Sequence, residues 1–292
     1  MKVALYARQV SEYNHPFILQ LFEELNKYAT QIIIYQPFFN QVKQLIPSNT
    51  KYELYNSGSE IRGKVDFLFS IGGDGTILDT LTQVQNSGIP VLGINIGRLG
   101  FLSSTNTEGL KVAVEDLAKG HFSLDKRSLL RLESNRSLFG ETNYALNELT
   151  IHKKDSSSMI IINTFLNGEY LNSYWADGLI ISTPTGSTGY SLSCGGPIVA
   201  PYSGNFVITP IAPHNLNVRP IVVSDKNVIS LEVEGRSQYF LASLDSRSVT
   251  IDSSVSLAVR KEDFTMSLVR LGNDNFLSTL RKKLNWGLDT RN

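Results

Sequence analysis

The sequence contains a single cysteine, Cys194, among 292 residues. One thiol excludes an intrachain disulfide framework and a clustered-thiolate metal site, and a reducing compartment is then the default. Net charge is missing too, because 27 Lys and Arg are balanced by 27 Asp and Glu. Proteins that bind nucleic acid or an anionic membrane along a broad surface need surplus cations, so neither class fits. The balance still permits anionic ligands held locally. No apolar run approaches the ~18 residues of a membrane span. Arg8 interrupts the first apolar stretch before a signal-peptide core can form. A soluble, cytoplasmic protein is expected. His15, His121, His152 and His214 are too scattered for metal-ligand spacing, and Cys194 has no evident base partner.

What is present is an ordinary globular mixture, 41% hydrophobic and 18% charged, which separates the chain from disordered sequences. Its length suits one large domain or two of about 150 residues. Strands are expected at Lys2–Ala7, Ile32–Tyr35, Val65–Ile71 and Ile89–Ile96. Helices are expected at Phe17–Tyr28, Ile77–Val84 and Thr107–Ala118, the last with a Thr cap and Glu108 in its first turn. Such alternation predicts a parallel α/β sheet. Beyond about residue 124, short runs rich in Ile, Val, Thr, Tyr and Phe follow one another. They include Tyr144–His152, Met159–Leu166, Leu179–Thr183, Val228–Val233, Gln238–Leu244 and Val249–Ile251. The fold expected is therefore an N-terminal Rossmann-like α/β domain, residues 1–125, and a mostly β domain of β-sandwich type, residues 126–267. A last helix, Asp274–Leu284, within residues 268–292, is expected to pack back on the first domain.

Three constellations carry chemistry. Gly72-Gly73-Asp74-Gly75-Thr76 lies at the carboxyl end of a strand, where the ligand crevice of an open α/β sheet forms. Glycines let backbone N–H groups approach phosphate oxygens, and Asp74 can take a hydroxyl proton or help hold magnesium. The same residues also serve as a tight strand-to-helix turn with a stabilising first-turn carboxylate. The second is Asp177-Gly178, then Thr183-Pro184-Thr185-Gly186-Ser187-Thr188-Gly189-Tyr190-Ser191, then Gly195-Gly196-Pro197. Six hydroxyl residues in nine suit polar contacts to a ligand better than core packing; a hydrophilic turn is the alternative. The third is Asn147-Glu148 inside an apolar strand, where an amide and a carboxylate need partners if buried. Sheet-edge pairing or a ligand can supply them. Gly58–Lys64 matches most of a P-loop, but Val65 replaces the magnesium-binding hydroxyl and a strand follows, so that motif is rejected.

Together these motifs, with Gly97–Phe101 and His214–Pro220, resemble the NAD kinases from about Val65 to Pro220. The GGDGT element alone is shared with diacylglycerol-type lipid kinases, whereas the TPTGSTGYS loop with its downstream GGP is far more specific. The resemblance implies transfer of the ATP γ-phosphoryl group to the adenosine-ribose 2′-hydroxyl of NAD, giving NADP. It places Asp74 at the reaction centre. Asn147 and Glu148 would contact the nicotinamide-side ribose and Asp177 the nicotinamide end. Phe101, Thr188, Tyr190 and Ser193 would line the adenine and phosphate regions, and Gly75 and Ala212 complete the NAD-binding set. Gly72, Gly73, Thr76 and Arg98 are candidates for the ATP phosphates, with Mg²⁺ or another divalent ion accompanying the nucleotide. A homo-oligomer, dimer or tetramer, is implied as well. The sequence departs from the usual pattern at Cys194, where alanine is common, at Asn215 and Asn217, and at Ser246, which replaces a frequent glycine. A lipid kinase would need a lipid-facing entrance, for which no amphipathic basic segment is visible. A silent dinucleotide sensor would have no need of Asp74.

Overall fold

A computed structural model describes residues 1–97, 100–154, 158–272 and 275–285 of the chain. Two compact units emerge, Met1–Lys126 together with Met266–Asn292, and Arg127–Thr265.

The first unit alternates as its sequence periods require. In order come β1 (Lys2–Tyr6), α1 (His15–Tyr28), β2 (Gln31–Tyr35), α2 (Gln36–Val42), β3 (Tyr52–Tyr55), β4 (Phe67–Ile71), α3 (Asp74–Val84), β5 (Val91–Asn95), β6 (Thr105–Asn106) and α4 (Leu110–Lys119). Strands β4 and β5 are buried at every position, as expected of parallel strands covered on both faces. The strands stand in the order β5-β4-β1-β2-β3, all parallel. Helix α1 opens with Pro16 in its first turn, where a missing N–H costs nothing. It buries Phe17, Leu21, Phe22 and Leu25 against the sheet residues Val3, Leu5, Ile32 and Phe69. The chain leaves β1 toward β2 and β3 and later returns to place β4 on the other side of β1. That reversal opens the crevice at the carboxyl ends of β1 and β4, directly before Gly72.

The second unit is built from β7 (Ser123–Ser134, which enters from the first unit), β8 (Tyr144–Ala145), β9 (Glu148–Lys153), β10 (Ile160–Leu166), β11 (Glu169–Ala176), β12 (Gly178–Ser182), α5 (Tyr190–Ser193), β13 (Asn205–Ile211), β14 (Ile221–Ser224), β15 (Ile229–Gly235), β16 (Tyr239–Leu244), β17 (Arg247–Asp252) and β18 (Leu257–Arg270). One antiparallel sheet runs β14-β13-β12-β9-β16-β17, and a second array runs β11-β10-β15-β18. Leu149, Ile151, Ile181 and Phe240 from the first share one apolar core with Ile160, Ile162, Val233 and Val259 from the second. Two sheets that share one apolar core make a β-sandwich. The last residues of β18 belong to the first unit, where Leu268 pairs in parallel with Val91 of β5. There Arg270 forms a buried ion pair with Asp125, its Nε donating to Oδ2 at 3.0 Å. Helix α6 (Phe276–Leu284) closes the described chain, capped by Asn275, whose side chain accepts the Ser278 N–H.

Several elements differ from the sequence reading. The expected helix at Thr107 starts at Leu110, with Gly109 rather than a threonine at its cap. The expected strand Tyr144–His152 breaks at Leu146 and Asn147, because a carboxylate from elsewhere takes both N–H groups. Asp274, the expected start of the last helix, lies outside the described residues.

Candidate functional site

In the first unit the site grows out of the end of β4. Gly72 takes φ +153°, and a Cβ there would stand 2.2 Å from the Thr76 hydroxyl, so this position requires glycine. Gly73 and Gly75 have negative φ and open space around them. The sequence reading gave all three glycines the same role; only the first is sterically forced. Gly73 caps α3 and Asp74 is its first residue, which puts a carboxylate at the positive end of the helix. The carboxylate is fixed from the other side by the loop after β5. Oδ2 accepts the Phe101 N–H at 2.7 Å and Oδ1 the Leu102 N–H at 3.2 Å. Such close backing needs a residue without a side chain, because a Cβ on Gly100 would fall 1.9 Å from Asp74 Oδ1. Each carboxylate oxygen keeps a second lone pair for a ligand. Thr76 is buried with its hydroxyl against Gly72. Arg98 lies outside the described residues.

In the second unit the structure gathers Asn147, Glu148, Gly186 and Gly189. The Asn147 carbonyl accepts the Thr183 N–H at 2.8 Å. A Cβ at Gly186 would lie 2.2 Å from that same carbonyl oxygen, and one at Gly189 3.2 Å from Glu148 Oε2. The loop after β12 is thus laid directly over the Asn147–Glu148 corner. The Asp245 carboxylate takes the Leu146, Asn147 and Glu148 N–H groups here, yet among the described residues Asn147 Oδ1 and Glu148 Oε2 are buried without a hydrogen-bond partner. Burial, then the charge of Asp245, pushes the Glu148 carboxyl up to about 8. Two oxygens of this kind within one corner are what a ligand with hydroxyl groups would complete.

The hydroxyl-rich loop corrects its sequence reading. Thr183, Thr185, Ser187 and Ser191 are buried and bond the loop to itself and its neighbours instead of lying exposed on its surface. Thr183 Oγ1 donates to the Leu146 carbonyl at 2.5 Å and accepts the Gly186 N–H at 3.2 Å. Ser187 Oγ donates to the Pro184 carbonyl at 2.7 Å and accepts the Val199 N–H at 3.0 Å. Ser191 pairs with Thr209 at 2.8 Å, and Arg127 donates to Thr185 at 3.1 Å. These hydroxyls give a polar loop its shape, while Tyr190 and Ser193 remain exposed and Thr188 half-buried.

Asp177 precedes β12. Its N–H donates to the Ile211 carbonyl at 2.9 Å, which brings it beside Ala212, a residue held at φ +44°. Its carboxylate pairs with Lys153 Nζ at 2.6 Å. Tyr190 approaches both Cys194 and Asp177; burial first, then those neighbours, raise its phenol. Asp177, Tyr190 and Ala212 therefore form a second cluster in this unit. Sequence reasoning missed Gly100, Lys153 and Asp245. Gly100 was within reach, as it sits beside a residue already singled out; the other two act through contacts that no local pattern announces. Among the described residues no group of three His, Cys, Asp or Glu side chains is arranged to hold a metal.

Comparison with known proteins agrees across the whole length. The ATP-NAD kinase N-terminal domain matches residues 19–122 and the ATP-NAD kinase C-terminal domain residues 146–271. The NAD kinase of Cytophaga hutchinsonii is 50% identical over 295 residues, covering 100% of both chains. That of Bacteroides fragilis (strain ATCC 25285) is 43% identical over 291 residues, again covering 100% of each. Among solved structures, yeast NADH kinase complexed with NADH superposes with a TM-score of 0.88 at 24% identity, covering 99% of this chain and 89% of the other. An NAD kinase from Archaeoglobus fulgidus in complex with ATP gives a TM-score of 0.73 at 26% identity, over 98% and 99% of the two chains. The α/β and β units, the fixed Asp74 and the matched length converge: this chain belongs to the ATP-NAD kinase family.

Proposed function

We infer that Asp74 and the Asn147–Glu148 corner are the working groups of an NAD kinase, the enzyme that transfers the ATP γ-phosphoryl group to the 2′-hydroxyl of the adenosine ribose of NAD. The observation that carries the assignment of Asp74 is its double backing by the Phe101 and Leu102 N–H groups, which aims one carboxylate at a fixed point of the crevice. Phosphoryl transfer asks the protein for position and charge balance more than for covalent chemistry. Asp74 accepts the proton of the 2′-hydroxyl as its oxygen bonds to phosphorus, and the bond from phosphorus to the ADP oxygen breaks. Phe101 and Leu102 hold the base still. Asn147 Oδ1 and Glu148 Oε2 pair with hydroxyl groups of the acceptor, which relieves two buried atoms that no group among the described residues satisfies. Asp177, Tyr190 and Ala212, with Thr188, Ser193, Phe101 and Gly75, complete the acceptor set.

The donor set fits a magnesium ion that arrives with its nucleotide, since such ions take one or two carboxylates plus phosphate oxygens. Asp74, with one free lone pair on each oxygen, is the residue that would hold it, beside the Gly72–Gly73 turn for the phosphates. When bound, the ion neutralises charge on the transferring phosphoryl group. The same proposal places the enzyme in the cytoplasm as a dimer or tetramer, supported by the family resemblance; sedimentation velocity reads the assembly. The test of function is product analysis. Purified protein with Mg-ATP and NAD should yield NADP carrying its new phosphate at the 2′ position by mass spectrometry. Phosphorylation of lipid instead, or NADP binding without any turnover, would overturn the assignment.

A further inference from the structure

Strands β16 and β17 are joined by a two-residue turn, Asp245-Ser246, because Leu244 pairs with Arg247. Asp245 takes φ +51°, a left-handed conformation that glycine would enter more cheaply. What an aspartate gains there is a carboxylate with three consecutive backbone donors around it. Oδ2 accepts the Leu146 N–H at 2.8 Å, and Oδ1 accepts those of Asn147 at 2.8 Å and Glu148 at 3.1 Å. The Asp245 N–H donates back to the Glu148 carbonyl at 3.1 Å. An extended strand cannot direct three successive N–H groups to one acceptor, since they alternate sides. The carboxylate therefore makes the corner between β8 and β9, and the corner carries the two buried oxygens, Asn147 Oδ1 and Glu148 Oε2, that lack partners.

We propose that Asp245 is a positioning residue of the acceptor site: its carboxylate gathers three successive N–H groups, bends the chain at Asn147–Glu148 and so sets the two unpartnered side-chain oxygens of that corner toward NAD. The inference rests on the reading that Asn147 and Glu148 hold the acceptor. Two neighbouring buried acids do not readily ionise together, so one of them tends to keep its proton. Burial raises the Asp245 carboxyl as well, but its three N–H donors and Arg247 oppose that rise and favour its ionised form. Glu148 has no such donors, and Asp245 is the charge that faces it. The proton therefore belongs to Glu148, and an unpartnered Oε2 that carries hydrogen offers a ribose oxygen a donor rather than a competing acceptor.

The test follows NAD affinity by calorimetry from about pH 6 to about pH 9.5. In the wild type, affinity should be flat at low pH and fall about tenfold per unit once Glu148 ionises. Asp245→Asn should raise the NAD KM about tenfold or more with kcat changed less than about threefold, and should move the affinity break to lower pH. Glu148→Gln should remove the break. If Asp245→Asn leaves both the KM and the break where they were, while Glu148→Gln abolishes the break, Asp245 has no positioning role and the acceptor site stands. If Glu148→Gln and Asn147→Ala both bind NAD as the wild type does, the acceptor reading itself fails and the inference with it. Should Asp245→Asn not fold, ¹³C carboxyl NMR of the wild-type protein, assigned with Glu148→Gln, decides. Glu148 protonated and Asp245 ionised at neutral pH supports the proposal, and the reverse order overturns it.

Discussion

A methyl group added at Gly100 would test the chemistry from a residue that has no functional group. The new Cβ would stand 1.9 Å from Asp74 Oδ1, 2.5 Å from Cγ and 2.7 Å from Oδ2. Ordinary carbon–oxygen contact begins at about 3.2 Å, so the carboxylate must retreat by more than about 1 Å or the loop must move away with Phe101 and Leu102. Either response lengthens the 2.7 Å bond from the Phe101 N–H that holds the base. A misplacement of about 1 Å in a reacting group costs on the order of 10²-fold in rate, or about 2.7 kcal/mol of activation free energy. The three atoms nearest that Cβ all belong to the Asp74 side chain, so the fold should persist. Gly100→Ala should therefore lower kcat by about 10²-fold with a small change in the NAD KM and in the urea midpoint. Steady-state kinetics with both substrates, alongside denaturation, measure all three. Wild-type kcat in this variant would refute the claim that a fixed Asp74 carboxylate sets the rate.

Other consequences concern stability as well as turnover. Ser187→Ala leaves the buried Val199 N–H without its acceptor and should cost about 1–3 kcal/mol in urea unfolding, with the loss expressed in NAD KM more than in kcat. Asp125→Ala strands the buried Arg270 guanidinium and should destabilise the first unit by about 3–5 kcal/mol, read from the same denaturation curves. The pH dependence of stability carries the signature of Glu148, whose carboxyl is raised to about 8 in the fold. A raised carboxyl contributes stability that is fully present below its unfolded value of about 4.3 and is lost as pH rises through 8, so about 3 kcal/mol should disappear by pH 7. Glu148→Gln should remove that loss, and the stability difference between variant and wild type should grow by this amount from about pH 4.5 to about pH 7. A difference that stays constant with pH would show that Glu148 ionises freely in the fold.

The parts of the site that sequence exposes are those whose chemistry is local. Three glycines and an aspartate at the end of an apolar strand announce a turn, a helix start and a first-turn carboxylate together, and Asp74 occupies that place. The parallel strands of the first unit were legible for a similar reason: their continuous apolar runs are bounded by glycine, asparagine and polar residues. The reading failed where composition was taken for exposure. Thr183, Thr185, Ser187 and Ser191 look like a ligand surface in sequence, but a buried loop must satisfy its own backbone, and their hydroxyls do that. Strand β18 went unread because four charged residues in succession, Arg260–Asp263, with Glu262 buried among them, mask its period. Asp245 was beyond reach altogether. It acts on residues nearly a hundred positions away, and in sequence it is simply a turn aspartate.

The central claim is that this chain divides its work, with Asp74 moving the proton and the Asn147–Glu148 corner holding the acceptor. The most direct measurement is a single-turnover experiment with γ-labelled ATP and NAD on wild-type protein and Asp74→Asn, with NAD affinity taken on the same preparations. The wild type should place the label on the 2′-oxygen of NAD; the variant should bind NAD within about threefold of the wild type and transfer at least about 10²-fold more slowly. Transfer by Asp74→Asn at the wild-type rate, or label on a different hydroxyl, would contradict the account.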